Sequence, residues 1–164
     1  MTIFSYHPSP IGPLLLVGEP DGEGGVRLQR VLMEDQKHGV PVAADWQEDP
    51  APFAQVARQL DEYFAGERTT FALVLDPQGT DFQLAVWLQL RTIPTGQTTT
   101  YGEIAARLGR PSASRAVGAA VGRNPIAVIV PCHRVVGASG ALTGFAGGLD
   151  RKRTLLKLEG VLAG

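Results

Sequence analysis

Thr100-Tyr101-Gly102-Glu103-Ile104-Ala105-Ala106-Arg107-Leu108-Gly109-Arg110-Pro111 is the stretch from which the rest of the chain can be read. Its first four residues have the form of a capping box, which opens a helix by exchanging two hydrogen bonds between Thr100 and Glu103. Ile104, Ala105 and Leu108 fall on one helical face, and Gly109-Arg110-Pro111 breaks the pattern. Ser112 or its neighbour is predicted to cap a second helix, which ends before Asn124-Pro125. Two short helices joined by a tight glycine-containing turn form a helix-turn-helix pattern. An ordinary helical hairpin is the commoner alternative.

The second of these helices carries Ser114, Gly118 and Gly122 four residues apart, with Ala113, Ala116, Ala119 and Ala120 adding further small side chains. A glycine inside a helix costs about 1 kcal/mol relative to alanine. A helix accepts that when something must approach its backbone closely, either another helix or a nucleic-acid groove. Arg115 and Arg123 flank the strip and favour the groove.

Upstream, Thr80-Asp81-Phe82-Gln83 has the same capping form and opens a helix through about Arg91, ended by Pro94. Before it, residues 3–6, 14–17 and 26–33 are short apolar or alternating runs separated by proline- and glycine-rich turns, which predict a small antiparallel sheet. Residues 37–52 are polar and proline-rich and read as a surface loop. Phe53, Val56, Ala57, Leu60, Tyr63 and Phe64 recur at helical spacing up to Gly66, and residues 71–75 read as a strand. Asp76-Pro77-Gln78-Gly79 marks a junction, so domains are expected at residues 1–78 and 79–164.

Downstream, residues 126–130 are continuously apolar and end in Pro131-Cys132-His133-Arg134, where Cys132 is the one cysteine of the chain. Residues 137–148 hold five glycines and form a loop able to pass close to a ligand. Asp150 is predicted to cap a last helix through Leu158, with Arg151, Lys152 and Arg153 in its first turn. Cations there oppose the helix dipole. A phosphate would relieve the conflict, and a solvated basic patch is the plainer alternative.

Charge is divided between the halves. Residues 1–80 carry five basic and twelve acidic side chains, and residues 81–164 carry ten basic and four acidic, although the net charge is only −1. A polyanion would be repelled by the first half and attracted by the second, which favours nucleic acid as the partner. No apolar run has bilayer length and no signal-peptide pattern is present, so the chain is expected to be cytoplasmic, without membrane attachment. One cysteine and three scattered histidines make a metal site improbable, and no cofactor is expected.

An unperturbed thiol has a pKa near 8.5 and is mostly protonated at neutral pH, so a nucleophilic cysteine needs a base or a positive neighbourhood. Most lone cysteines are small core residues. Against that reading, Cys132 follows a proline, is bracketed by His133 and Arg134, and precedes the glycine-rich loop. The residues alone lead to a thiol nucleophile beside a DNA-binding element.

The pattern Asn124-Pro125 followed by Pro131-Cys132-His133-Arg134-Val135 resembles the active-site signature of the O6-alkylguanine-DNA alkyltransferases (methylated-DNA–protein-cysteine methyltransferases). Agreement extends over residues 79–83, Trp87, Tyr101-Gly102-Glu103, Arg115-Ala116-Val117-Gly118, Ser139-Gly140, Gly147-Gly148, Leu155-Leu156 and Glu159-Gly160. The first half is less similar, with Ser9-Pro10-Ile11-Gly12 and Tyr63-Phe64-Ala65-Gly66 in common. The resemblance implies an α+β fold, with an N-terminal ribonuclease H-like sheet and helix followed by a winged helix-turn-helix-like DNA-binding domain.

It also implies a single-use repair reaction. Cys132 takes the alkyl group from O6-alkylguanine, and less well from O4-alkylthymine, flipped out of double-stranded DNA. Glu159 orients His133, which draws the thiol proton through a water. Asn124 braces the turn that carries the cysteine. Arg115 fills the vacated stack, and Tyr101 crowds the backbone and helps protonate the leaving guanine. Gly102, Arg110, Ser114, Gly118 and Ala138 fall at positions near DNA. The Val135 backbone, Phe145 and Ala146 line the substrate pocket. Phe145 stands where many members have tyrosine, Ala146 where some have serine, and Gly122-Arg123 reverses the order found in some relatives. A monomer is expected, with cooperative loading on DNA left open. A sensor that binds alkylated bases without repairing them is the alternative, and the presence of Cys132 weighs against it. A thiol hydrolase indifferent to DNA is a more remote one.

Overall fold

The computed structural model describes residues 1–163. The chain divides into two compact units, one formed by Met1–Gln78 with Pro125–Ala127, the other by Gly79–Asn124 with Val128–Gly164. The fold class is the expected α+β.

In the first unit, β1 (Ile3–His7), β2 (Leu14–Pro20) and β3 (Val26–Met33) form an antiparallel meander. The apolar runs supply its buried face, with Leu14, Leu28 and Val31 fully covered. Each such side chain contributes about 1.5–3 kcal/mol by leaving water. The helix α1 (Ala54–Phe64) buries Val56, Leu60 and Tyr63, and Gly66 adopts φ 76° just beyond it. That left-handed conformation is open to glycine at little steric cost.

Three expectations are corrected here. The segment expected to be a loop contains a short strand, β4 (Gln47–Glu48), which pairs in parallel with β1 at Ile3 and Phe4. Its anchors are apolar residues within the polar segment: Val40 and Trp46 pack on Phe4, Leu15, Val17 and Leu32. Residues 71–75 form only a one-residue bridge, Leu28 to Leu75. Pro125–Ala127 belongs with the first unit, because Val31 N donates to Pro125 O (2.9 Å) and Ala127 N donates to Val31 O (3.1 Å).

The second unit contains α2 (Asp81–Leu90), β5 (Thr99–Thr100), α3 (Tyr101–Arg107), α4 (Ser114–Gly122), β6 (Val135–Val136) and α5 (Leu149–Leu158). Thr80 and Gln83 make the complete capping box, worth about 1 kcal/mol. At α3 only half of the expected box forms. Thr100 Oγ1 accepts from Glu103 N (3.1 Å), but the Glu103 carboxylate accepts from Thr99 Oγ1 (2.8 Å). The α3–α4 turn passes through Gly109 at φ 72°. The N-cap of α4 is Ala113, the neighbour of Ser112, and that of α5 is Gly148 at φ 89° rather than Asp150, which lies in the first turn. The indole Nε1–H of Trp87 donates to Ala120 O (2.8 Å) and ties α2 to α4.

Candidate active site

The apolar run does not approach Cys132 as a strand. Val128 takes φ 69°, a left-handed conformation at a buried β-branched residue. Such strain costs on the order of 1–3 kcal/mol and persists only where the surroundings enforce it. Asn124 is one enforcing group: its Nδ2 donates to Val130 O at 2.8 Å, two residues ahead of the thiol. Pro131 then caps a single 3₁₀ turn, Cys132–Arg134, that exposes only 7% of the cysteine. Next comes β6, which pairs in parallel with β5 (Thr99 with Val135, Thr100 with Val136). The pairing sets Tyr101, the first residue of α3, beside the chain leaving the nucleophile.

His133 is fully buried, and its Nε2 lies 2.7 Å from Glu159 Oε2. Glu159 follows α5 as its C-cap, where a negative charge opposes the dipole. Arg134 offsets that cost, with Nε 2.8 Å from Oε1 and Nη2 3.0 Å from Oε2. The same guanidinium donates to Ile93 O (2.6 Å) and Thr95 Oγ1 (3.0 Å). A carboxylate only accepts, so Nε2 carries the proton and Nδ1 keeps a lone pair. Among the described residues, Nδ1 is the buried side-chain polar atom without a hydrogen-bond partner. Burial lowers the His133 pKa below the usual value, although Glu159 pulls the other way. The ring is therefore a neutral base at physiological pH.

Burial pushes the Cys132 thiol pKa up. Three influences oppose this: a hydrogen bond from the Asn124 side chain, the charge of Lys152, and the backbone amides of Cys132 and His133. The cysteine rests as a thiol inside a shell arranged to receive an anion. Lys152 is the residue that sequence reasoning missed. Its side chain has no solvent exposure and donates to Val135 O (2.6 Å) and Thr143 O (3.0 Å). Burial lowers its pKa. The signal was present in the sequence: Lys152, Leu155, Leu156 and Glu159 recur at i, i+3, i+4 and i+7, which places both charges on the buried face of α5. The solvated patch, the plainer alternative for this turn, is thus reduced to Arg151 and Arg153, of which Arg153 pairs with Asp150 (3.5 Å) and Arg151 donates to Gly147 O (3.3 Å).

The remaining expected residues occupy a second face. Arg115 and Gly102 are exposed on α4 and α3, and Ser114 is half-buried. Gly118 lies under Tyr101, where an added Cβ would sit 3.7 Å from the ring, and an added Cβ at Gly122 or Gly102 would meet nothing within 4 Å. Close helix packing therefore does not account for the glycine at 122. Arg110 is exposed and stacks its guanidinium 5.6 Å from the centroid of Phe82. Ala138 is exposed in the glycine-rich loop, and Phe145 and Ala146 are half-buried there. The Val135 carbonyl already accepts from Lys152 and has a second lone pair to offer. Among the described residues, no group of three or more His, Cys, Asp or Glu side chains could hold a metal ion, and no helix is long and apolar enough to cross a membrane.

A two-unit α+β chain that carries a helix-turn-helix pattern, a buried cysteine and a buried His133–Glu159 pair points to a class of DNA-binding thiol proteins. The family comparison is specific. Residues 81–161 match the DNA binding domain of 6-O-methylguanine DNA methyltransferase, and residues 2–77 match its ribonuclease-like domain. The chain belongs to the 6-O-methylguanine DNA methyltransferase family. It is 52% identical over 157 residues to the methylated-DNA–protein-cysteine methyltransferase of Methanosarcina acetivorans, covering 96% of this chain and 97% of that one. The crystal structure of the Mycobacterium tuberculosis O6-methylguanine methyltransferase superposes with a TM-score of 0.88 at 51% identity, covering 100% of this chain and 96% of that one. A structure of the Mycobacterium tuberculosis protein in complex with DNA gives a TM-score of 0.86 at 52% identity, covering 96% of this chain and 92% of that one.

Proposed function

We propose that this protein is a single-use DNA repair methyltransferase that moves an alkyl group from guanine O6 in duplex DNA to Cys132 Sγ. A target atom inside a base stack is unreachable, so the nucleotide is flipped into the site. Arg115, exposed on α4 above a strip without large side chains, takes the vacated place from the minor groove. Gly102, Arg110, Ser114, Gly118 and Ala138 lie along the backbone of the DNA. The Val135 backbone, Phe145 and Ala146 receive the base.

The thiol proton passes through a water to His133 Nδ1. Glu159 stabilises the imidazolium that results, because its oxygen already holds Nε2–H. Lys152 and the Asn124 side chain stabilise the thiolate. The sulfur attacks the alkyl carbon opposite O6, the C–S bond forms and the C–O6 bond breaks. The electron pair released to guanine takes a proton from the Tyr101 hydroxyl, and the proton held on His133 returns to the phenolate through solvent, so both side chains end neutral. The thioether has no route back to a thiol, so each molecule acts once. O4-alkylthymine presents the same alkyl–oxygen bond and is the slower substrate. The protein works as a monomer, in the cytoplasm, on chromosomal DNA.

The observation that carries this reading is the neutral, buried His133, with Nε2 held by Glu159 and Nδ1 unpartnered, next to the chain's single thiol. An oligonucleotide duplex containing O6-methylguanine tests it. Peptide mass analysis is expected to find one methyl group on Cys132 per protein molecule. Freshly reduced, folded protein that binds the duplex and gains no methyl group would point instead to a sensor of alkylated bases.

A further inference from the structure

We infer that Phe82 is a positioning residue for DNA binding, whose ring holds the Arg110 guanidinium ready to meet a phosphate of the duplex. This rests on the reading above, in which the helix-turn-helix seats on DNA. The guanidinium carbon of Arg110 lies over the Phe82 ring, 5.6 Å from its centroid. That is within the reach of a cation–π contact, about 6 Å. Arg110 is exposed, Phe82 is half-buried, and Arg110 forms no ion pair among the described residues. The kind of partner matters here. A carboxylate would neutralise the cation and occupy its N–H donors. A ring leaves the whole charge and those donors for an anion that arrives later.

Both partners are fixed by the chain around them. Gly109 turns the chain beyond α3, and Arg110 N donates back to Ala105 O at 2.9 Å. Arg110 O accepts from the N–H of Ala113, the N-cap of α4, at 2.9 Å. The main chain of Arg110 is thus bonded to α3 on one side and to the entry of α4 on the other. Phe82 is the second residue of α2, inside the capping box of Thr80 and Gln83 (3.0 and 3.1 Å). The Trp87 indole fastens the same helix to α4. Ring, cation and α4 are therefore tied to one another. Arg110 stands ahead of the first turn of α4 and Arg115 within it, in the basic half of the chain. Cations so placed suit the phosphates that set a protein's register on a duplex. A loose arginine loses rotamer freedom when it docks, and one already held on a ring loses less.

The test is a double-mutant cycle on duplex affinity, read by fluorescence anisotropy at several salt concentrations, with thermal unfolding followed in parallel. It compares the wild type, Phe82→Leu, Arg110→Met and the two changes combined. Arg110→Met is expected to lower affinity and to reduce the slope of log K against log salt by about 0.9, the value of one phosphate contact. Phe82→Leu removes the ring and keeps an apolar side chain. It is expected to weaken binding by about two- to fivefold, the worth of an exposed cation–π contact. In the Arg110→Met background the same replacement is expected to cost nothing further. Phe82→Tyr keeps the ring and is expected to bind as the wild type does. At saturating O6-methylguanine duplex, Phe82→Leu is expected to transfer at the wild-type rate, so that the loss lies in binding alone. If Phe82→Leu does not fold, Phe82→Met takes its place in the cycle. An equal loss in both backgrounds, or an unchanged salt slope for Arg110→Met, overturns the positioning role. A wild type that binds the duplex but gains no methyl group overturns the repair reading, and the affinity cycle still decides the role of Phe82. A wild type that binds no duplex overturns both.

Discussion

Lys152 Nζ lies 2.6 Å from the carbonyl oxygen of Val135, three residues beyond the nucleophile, with no solvent exposure on the lysine. A buried ammonium is costly unless it is paired and hydrogen-bonded. This one is held by two carbonyls, and its charge favours the thiolate. Lys152→Met keeps the length and apolar stem of the side chain while removing the charge. It is expected to push the Cys132 thiol pKa up further and to slow methyl transfer by about tenfold or more, the factor that corresponds to one pKa unit. Thiol alkylation by iodoacetamide across pH, alongside the transfer rate, checks both. An unchanged thiol titration would remove Lys152 from the mechanism.

Glu159 accepts from His133 and Arg134 together, so replacing Glu159 in one variant and Arg134 in another separates chemistry from stability. Glu159→Gln can donate to His133 Nε2 and thereby turns the ring proton to Nδ1. Transfer is expected to fall by about 10²-fold or more, the scale of a lost general base. Single-turnover rates on O6-methylguanine duplexes measure it, and a rate near wild type would mean that His133 is not the base.

Arg134→Met leaves the Glu159 carboxylate buried without its guanidinium. Breaking a buried pair in this way costs about 3–5 kcal/mol. Urea unfolding should show that loss as a lower midpoint at an unchanged slope. A variant within 0.5 kcal/mol of wild type, the ordinary range for an exposed site, would show that the pair is dispensable.

The lowered His133 pKa gives stability a defined pH dependence. In the unfolded chain the imidazole returns to about 6.5. Below that pH the unfolded state binds a proton that the folded state refuses, so unfolding is favoured as pH falls. The contribution is absent above about pH 6.5 and grows by up to about 1.4 kcal/mol per pH unit below it, until the folded-state pKa is reached. Burial raises the thiol pKa and lowers the lysine pKa, and a comparison with His133→Gln at each pH leaves the two groups in common to both proteins. Urea unfolding between pH 5 and 8 should show a steeper acid loss for the wild type than for His133→Gln. Equal slopes would contradict a buried neutral imidazole.

Arg115 is exposed on α4 and forms no ion pair among the described residues. Arg115→Ala is expected to change stability by less than about 0.5 kcal/mol, as surface substitutions do. It should nonetheless slow transfer from duplex DNA much more than transfer from free O6-benzylguanine, because only the duplex needs a side chain to fill the stack. Equal slowing on both substrates would refute that role.

Much of this protein was already present in its sequence. Thr80 with Gln83, the recurrence of Phe53, Val56, Leu60 and Tyr63, and the small-residue strip of α4 are local patterns. Capping and amphipathic spacing act within a few residues, so they can be read without the fold. The signature from Asn124 to Val135 likewise points to Cys132 as the proposed nucleophile and to its neighbours. What only the tertiary structure decided is where charges meet. Glu103 turned from Thr100 to Thr99. Lys152, on paper one of three surface cations, lies wholly buried against Val135 and Thr143, and the loop expected at 37–52 is anchored by Trp46 and closed by β4. Each of these depends on partners nine or more residues away or on competition between equivalent nearby groups. A periodic pattern shows which face of a helix is buried, but only the packed chain determines what that face touches, and the worth of a buried charge is set by what it touches.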